Sequence, residues 1–122
     1  MQKSLRILIA DDEQDFVHLM KARLESEGHS VTAAHEGVRA IEMVRKEMPD
    51  LLLLDLKMPA GSGQSVLQTL RANPETKKLP VIVLTAMAGR SIEEESYRLG
   101  ADAFIRKPFD IKRLLEKIDS IL

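Results

Sequence analysis

Three stretches of this chain are apolar at every position: Ile7-Leu8-Ile9, Leu51-Leu52-Leu53-Leu54 and Val81-Ile82-Val83-Leu84. A strand with one face in water alternates apolar and polar residues. A run without alternation is therefore the mark of a strand covered on both faces, as in a parallel sheet with helices above and below. The spacing predicts strands over Arg6 to Ala10, Leu51 to Asp55 and Val81 to Thr85, with shorter runs at Ser30 to Ala34 and Ala103 to Arg106 completing a set of five.

Helical spacing fills the intervals. Phe16, Leu19, Met20, Ala22, Arg23 and Leu24 form one stripe, Val38, Ala40, Ile41 and Val44 a second, and Val66, Leu67 and Leu70 a third. Asp110 is a candidate N-cap for a last helix presenting Ile111, Leu114, Leu115, Ile118 and Leu122. Ser91 is one for a thinner helix that carries Glu93, Glu94 and Glu95 near its positive end. Alternating strands and helices imply right-handed crossovers and a doubly wound α/β fold whose ligands bind beyond the carboxyl ends of the strands.

The size and charge of the chain narrow the functions open to it. At 122 residues it is expected to form one domain over residues 1–122. With 18 basic against 19 acidic residues, no global field recruits nucleic acid or an anionic membrane. The absence of cysteine removes disulfides, thiolate nucleophiles and cysteine-based zinc sites, and it fits a reducing compartment, so a cytoplasmic location is expected. The start, Met1 to Leu5, is polar and does not read as a signal peptide. No apolar stretch approaches the ~20 residues that span a bilayer. The pattern runs almost to Leu122, so the chain either stands alone or was cut from a longer one.

The strand ends carry the chemistry. Asp11 and Asp12 follow the first strand, Asp55 ends the third, Thr85 ends the fourth and Lys107 follows the fifth. Under either common strand order that places the first beside the third, the ends of strands one, three and four are neighbours, so these side chains can share one pocket, which sequence order alone does not show. Clustered carboxylates raise one another's pKa unless a cation lies among them. Oxygen ligands without His or Cys suit Mg²⁺, with Mn²⁺ able to substitute. A carboxylate can attack phosphorus to form an acyl phosphate, and a metal and a lysine would spread the charge that builds on the transferring group. Each residue alone has an ordinary explanation: Asp12 as a helix cap, Thr85 as a strand former, Lys107-Pro108 as a loop. Their coincidence at one sheet edge, with Asp55 closing a run of four leucines where a charge is costly, singles them out.

Four segments carry a family resemblance: Ile9-Ala10-Asp11-Asp12-Glu13, Pro49 through Leu51-Leu52-Leu53-Leu54-Asp55 to Pro59, Val83-Leu84-Thr85-Ala86, and Gly100 through Lys107-Pro108-Phe109. Together they resemble the CheY-like receiver domains of bacterial response regulators over essentially the whole chain. The resemblance implies a flavodoxin-like sheet of order 2-1-3-4-5 flanked by five helices. It implies phosphorylation of Asp55 from the phosphohistidine of a histidine kinase or histidine phosphotransfer protein, the domain assisting both its own phosphorylation and dephosphorylation. Asp12 would ligate Mg²⁺ directly and Asp11 mainly through water, with Asp55 and the backbone carbonyl of Lys57 completing the protein ligands.

Thr85 and Lys107 would each contact a phosphoryl oxygen, Thr85 moving on activation. The switch aromatic falls on Phe104, which lacks the hydroxyl of the tyrosine often found there. Lys57 and Met87 occupy the positions that set phosphate lifetime, and as bulky residues they are expected to shield the acyl phosphate from water. The loop Pro59-Ala60-Gly61-Ser62-Gly63 departs from the family's Pro-Gly-Met-Asp-Gly; Ser62 can serve as N-cap, and Gly61 is expected to keep the loop pliable. A cis Lys107-Pro108 peptide is also implied.

The resemblance places the output on the face of helix four, strand five and helix five, where Arg90, Glu94, Tyr97, Arg98, Phe104, Arg106 and Lys112 are candidate contacts to a partner, an attached effector domain or, on phosphorylation, a second copy. No direct binding to nucleic acid or membrane is expected. An Asp-nucleophile phosphatase of the haloacid dehalogenase type would need an acid two residues after the nucleophile, where this chain has Lys57. A dinucleotide-binding module would need a glycine-rich turn where it has Asp11-Asp12-Glu13. A receiver that interacts without phosphorylation remains the third alternative.

Overall fold

The structure, a computed structural model, describes residues 4–122; the reading of Met1 to Lys3 as a polar start lies outside the described residues. Five strands and five helices alternate: β1 (Arg6–Ala10), α1 (Gln14–Ser26), β2 (Ser30–Ala34), α2 (Gly37–Glu47), β3 (Leu51–Leu54), α3 (Gly63–Ala72), β4 (Val81–Thr85), α4 (Arg90–Arg98), β5 (Ala103–Arg106) and α5 (Ile111–Ile121). The strands form one parallel sheet in the order β2-β1-β3-β4-β5.

Successive strand residues point to opposite faces, and both faces are filled. Leu8, Leu52, Leu54, Val81 and Val83 pack with Ala40, Met43 and Val44 of α2 and Val66, Leu67 and Leu70 of α3. Ile7, Ile9, Leu51, Leu53, Ile82 and Leu84 pack with Val17, Met20 and Leu24 of α1 and Leu114 and Ile118 of α5. This division explains why the central strands lack alternation. The one element with little grip is α4, whose only buried residue is Ser96.

Several local expectations shift. Leu19 and Val38, assigned to buried stripes by spacing, are 62% and 55% exposed, and on α2 the buried side is Ala40, Met43 and Val44. Leu122 lies beyond α5 and is exposed. Helix α4 begins one residue before Ser91, with Gly89 at its N-cap in a positive-φ conformation that a glycine adopts freely. Asp110 and Ser62 do cap: their side chains accept from the N–H groups of Lys112 and Ser65.

The loop after β3 is pinned rather than pliable. The unpaired N–H groups at the start of α2 need acceptors, and those of Gly37 and Val38 donate to the carbonyls of Pro59 and Ala60. A Cβ on Gly37 would lie 2.1 Å from the Gly61 oxygen, so the two backbones meet where only glycine fits. Gly63 presses the start of α3 equally hard against the end of β3: a Cβ there would lie 2.2 Å from the Asp55 carbonyl oxygen and 2.6 Å from Leu56 Cα. Gly63→Ala must therefore displace the backbone that carries Asp55. It is expected to cost about 1–3 kcal/mol, seen as a lower urea midpoint with an unchanged m-value.

Candidate functional site

Asp11 and Asp55 each stand one residue past a strand, yet their backbones remain in the ladder. The Asp11 N–H donates to Ala34 O and the Asp55 N–H to Ala10 O. Both carboxylates thus issue from fixed backbone, and both are buried, at 1% and 5% exposure, whereas Asp12 is exposed. Asp12 is not the cap of α1; that position is Glu13, whose N–H donates to Asp11 Oδ1. One carboxylate oxygen from each of Asp11, Asp12 and Asp55 lies within 4.8 Å of the others. Three hard oxygen donors at one sheet edge, with neither His nor Cys among them, are a donor set that fits Mg²⁺.

Lys107 reaches into this cluster from the end of β5. Its ammonium donates to Asp11 Oδ2 at 2.7 Å, to Glu13 Oε1 at 3.1 Å and to Asp55 Oδ2 at 3.4 Å. Its backbone N–H donates to Thr85 O, which ties β5 to the end of β4 beneath the site, and the Lys107–Pro108 peptide is cis. Thr85 is fully buried, and its hydroxyl accepts from the Met87 N–H at 3.2 Å. The Lys57 N–H donates to Asp55 Oδ1 at 3.3 Å. Asp12, Glu13, Asp55, Lys57, Thr85, Ala86 and Met87 line one cleft of 300 Å³.

Of the five residues expected at the strand ends, Asp12, Asp55 and Thr85 line this cleft with Lys57 and Met87, and Asp11 and Lys107 join it through their closeness to Asp55. Phe104 stands apart: it is buried at 8% exposure, pairs with Val83 across the sheet and borders a separate cleft with Met87, Arg90, Glu93, Arg106 and Arg113. The sequence reading gave no role to Glu13 as a partner of Lys107, nor to His35, whose Nδ1 lies 3.0 Å from the Asp11 carbonyl oxygen. Glu13 was visible as part of an acidic run; nothing in the local sequence marks His35.

Burial pushes the Asp11 carboxyl above its ordinary pKa, and the neighbouring Asp55 adds to this, while the Lys107 hydrogen bond only partly offsets it. Burial alone would depress Lys107, yet Asp11, Asp55 and Glu13 outweigh it and hold the ammonium above its usual pKa. The two directions are compatible: the lysine gains from several carboxylates, whereas for Asp11 burial outweighs what its one cation returns and Asp55 adds to the shift.

A folded-state pKa raised above the unfolded value means that the folded protein binds the proton more tightly, so Asp11 favours folding at low pH and opposes it once ionised. In a metal chelator, Asp11→Asn is expected to raise the urea midpoint at neutral pH. That advantage should shrink as pH falls through the raised pKa of Asp11 toward 3.8. Midpoints measured across this pH range for both proteins give the comparison.

Residues 7–119 match the response regulator receiver domain family. Over 117 residues the chain is 38% identical to the transcriptional regulatory protein CpxR of Escherichia coli, covering 96% of this chain and 49% of that protein. It is 36% identical over 118 residues to the response regulator PleD of Caulobacter vibrioides, covering 97% of this chain and 26% of PleD. The chain thus spans about half the length of one of these relatives and about a quarter of the other.

Among solved structures, the non-phosphorylated HemR receiver domain of Leptospira biflexa superposes with a TM-score of 0.86 at 33% identity, over 98% of this chain and 94% of that one. The receiver domain of the sensor histidine kinase PA1611 of Pseudomonas aeruginosa does so with a TM-score of 0.88 at 26% identity, over 97% of both chains; that structure has a magnesium ion coordinated in its active-site cleft. With its sheet order, its acidic pocket and its matched length, the chain belongs to the response regulator receiver domain family.

Proposed function

We propose that this chain is a phosphoacceptor switch: Asp55 takes a phosphoryl group from the phosphohistidine of a sensor histidine kinase or histidine phosphotransfer protein. The observation that carries this reading is the meeting of three carboxylates within 4.8 Å at one sheet edge, with the Lys107 ammonium 3.4 Å from Asp55. In the transfer, an Asp55 carboxylate oxygen forms a bond to phosphorus as the phosphorus–nitrogen bond breaks, and the imidazole leaves with the electron pair and takes up a proton. Asp11, Asp12, Asp55 and the Lys57 carbonyl would hold Mg²⁺, which when bound supplies positive charge against the phosphoryl oxygens.

The chain's own groups do the rest. Lys107 exchanges part of its bonding to Asp11 for a phosphoryl oxygen, and the Thr85 hydroxyl turns from the Met87 N–H toward another. These contacts exist only with the phosphoryl group present, so they shift an equilibrium between two arrangements of the segment from Ala86 into α4. With only Ser96 buried, α4 can move at little cost in core packing. Phe104, lacking a hydroxyl, would report the change by packing alone. The output face is α4, β5 and α5, open to a partner, an attached effector or a second copy. The unit is one receiver domain over residues 1–122, working in the cytoplasm; no helix among the described residues is long and apolar enough to cross a membrane.

Incubation with acetyl phosphate and Mg²⁺ is expected to add one phosphoryl mass by intact mass spectrometry. Asp55→Asn or a chelator should abolish the gain. An unmodified wild-type protein would instead support the alternative of a phosphorylation-independent interaction domain.

Lys57 and Met87 line the same cleft as Asp55, where they stand between solvent and the acyl phosphate. Lys57→Ala and Met87→Ala are each expected to shorten the phosphate's half-life. Decay rates equal to that of the wild type would remove the shielding role.

A further inference from the structure

The ammonium of Lys107 has one neighbour that is not a carboxylate. Its Nζ lies 3.9 Å from the centroid of the Phe16 ring, inside the range in which a ring face attracts a cation. Phe109 packs against that ring in a T-shaped pair, at a centroid distance of 6.1 Å and an interplanar angle of 76°, an arrangement that aromatic pairs favour. Of the three phenylalanines in the chain, one thus faces this lysine and a second packs against the first. Phe16 is half-buried: it packs against the margin of the core and also lines a groove with Leu19, Met20 and Pro108. The lysine side chain is 9% exposed, which leaves little water to weaken the attraction.

We propose that Phe16 is a positioning residue for phosphoryl transfer: its ring face, buttressed by Phe109, holds the Lys107 ammonium against the acidic cluster. The inference rests on the phosphoacceptor reading of Asp55. A lysine on a flexible four-carbon stem has three hydrogen-bond donors, and Asp11, Glu13 and Asp55 engage all three. To reach a phosphoryl oxygen the ammonium must release one of these bonds. The ring attracts the charge without accepting any of the three donors strongly, so it keeps Nζ in place while its hydrogen-bond partners change. Charge held ready where negative charge develops is the main form of help in this class of reaction.

Two substitutions separate the electrostatics of the ring from its bulk. Phe16→Leu removes the π face, and 3,4,5-trifluorophenylalanine placed at position 16 keeps the ring's shape while weakening the negative potential of its face. With acetyl phosphate and saturating Mg²⁺, the rate constant for acyl-phosphate formation is expected to fall about tenfold in Phe16→Leu and by about threefold in the fluorinated protein. In the phosphate-free protein, the Lys107 ε-methylene protons should show an upfield ring-current shift that Phe16→Leu abolishes.

A fluorinated protein as fast as the wild type overturns the proposal, whether or not Phe16→Leu is slow or poorly folded, since bulk alone would then suffice. A wild type that gains no phosphoryl mass overturns the acceptor assignment, and the role of Phe16 with it. An adduct whose rate ignores both substitutions overturns only the role of Phe16.

Discussion

The site depends on one ammonium placed among more carboxylates than it can neutralise. Lys107 holds Asp11 at 2.7 Å and Asp55 at 3.4 Å while sharing itself with Glu13. Two buried aspartates this close would otherwise resist ionising together. Burial, with a smaller addition from Asp55, keeps the Asp11 pKa raised despite its lysine partner. A charge imbalance of this kind makes a small oxygen-liganded cation welcome. In the proposed transfer it also makes the incoming phosphoryl group a competitor for the same lysine.

Holding such a cluster open requires stiff support, and the sheet supplies it. Asp11 and Asp55 keep ladder hydrogen bonds one residue past their strands, so neither carboxylate can retreat to solvent. Beneath them, β1, β3 and β4 are buried on both faces. Gly63 brings α3 against the backbone of Asp55 and Leu56, and Gly37 brings α2 against the loop at Gly61. The electrostatic tension is therefore carried by close packing rather than relieved by movement. Collapse of the pocket onto the lysine is prevented in the same way.

Much of this was legible from residue order. Runs without alternation, at Leu51 to Leu54 and Val81 to Leu84, can be satisfied only between two helix layers, and the strand order that the family resemblance implies then brings Asp11, Asp55, Thr85 and Lys107 to one edge. Less legible were features set by chain segments remote in sequence. Leu19 and Val38 are exposed while Val17, Met20 and Leu24 on α1 and Ala40, Met43 and Val44 on α2 face the core, and helical spacing alone does not say which side of a broad apolar stripe meets the sheet. The pinning of the Pro59–Gly61 loop arises from unsatisfied N–H groups at the start of α2, more than twenty residues earlier in the chain, so a glycine that reads as freedom acts as a fit. The contact between Phe16 and Lys107 spans most of the chain's length, and neither residue announces the other.

The division between rigid and loose parts gives the proposed switch its direction. Thr85 sits where the two meet: its carbonyl accepts from the Lys107 N–H within the rigid edge, and its hydroxyl accepts from the Met87 N–H in the segment leading to α4. Reorienting the hydroxyl costs one hydrogen bond, worth about 0.5–1.5 kcal/mol net, and the Met87 N–H released belongs to the segment leading into the one helix with a single buried residue. Moving α2 or α3 instead would break the close glycine contacts and tear several buried side chains from the core, at a far larger cost. A phosphoryl group that captures the Thr85 hydroxyl therefore has one cheap route outward, through Met87 into α4. That route ends beside Phe104 and the guanidinium groups of Arg90, Arg106 and Arg113, which border the same cleft as Met87.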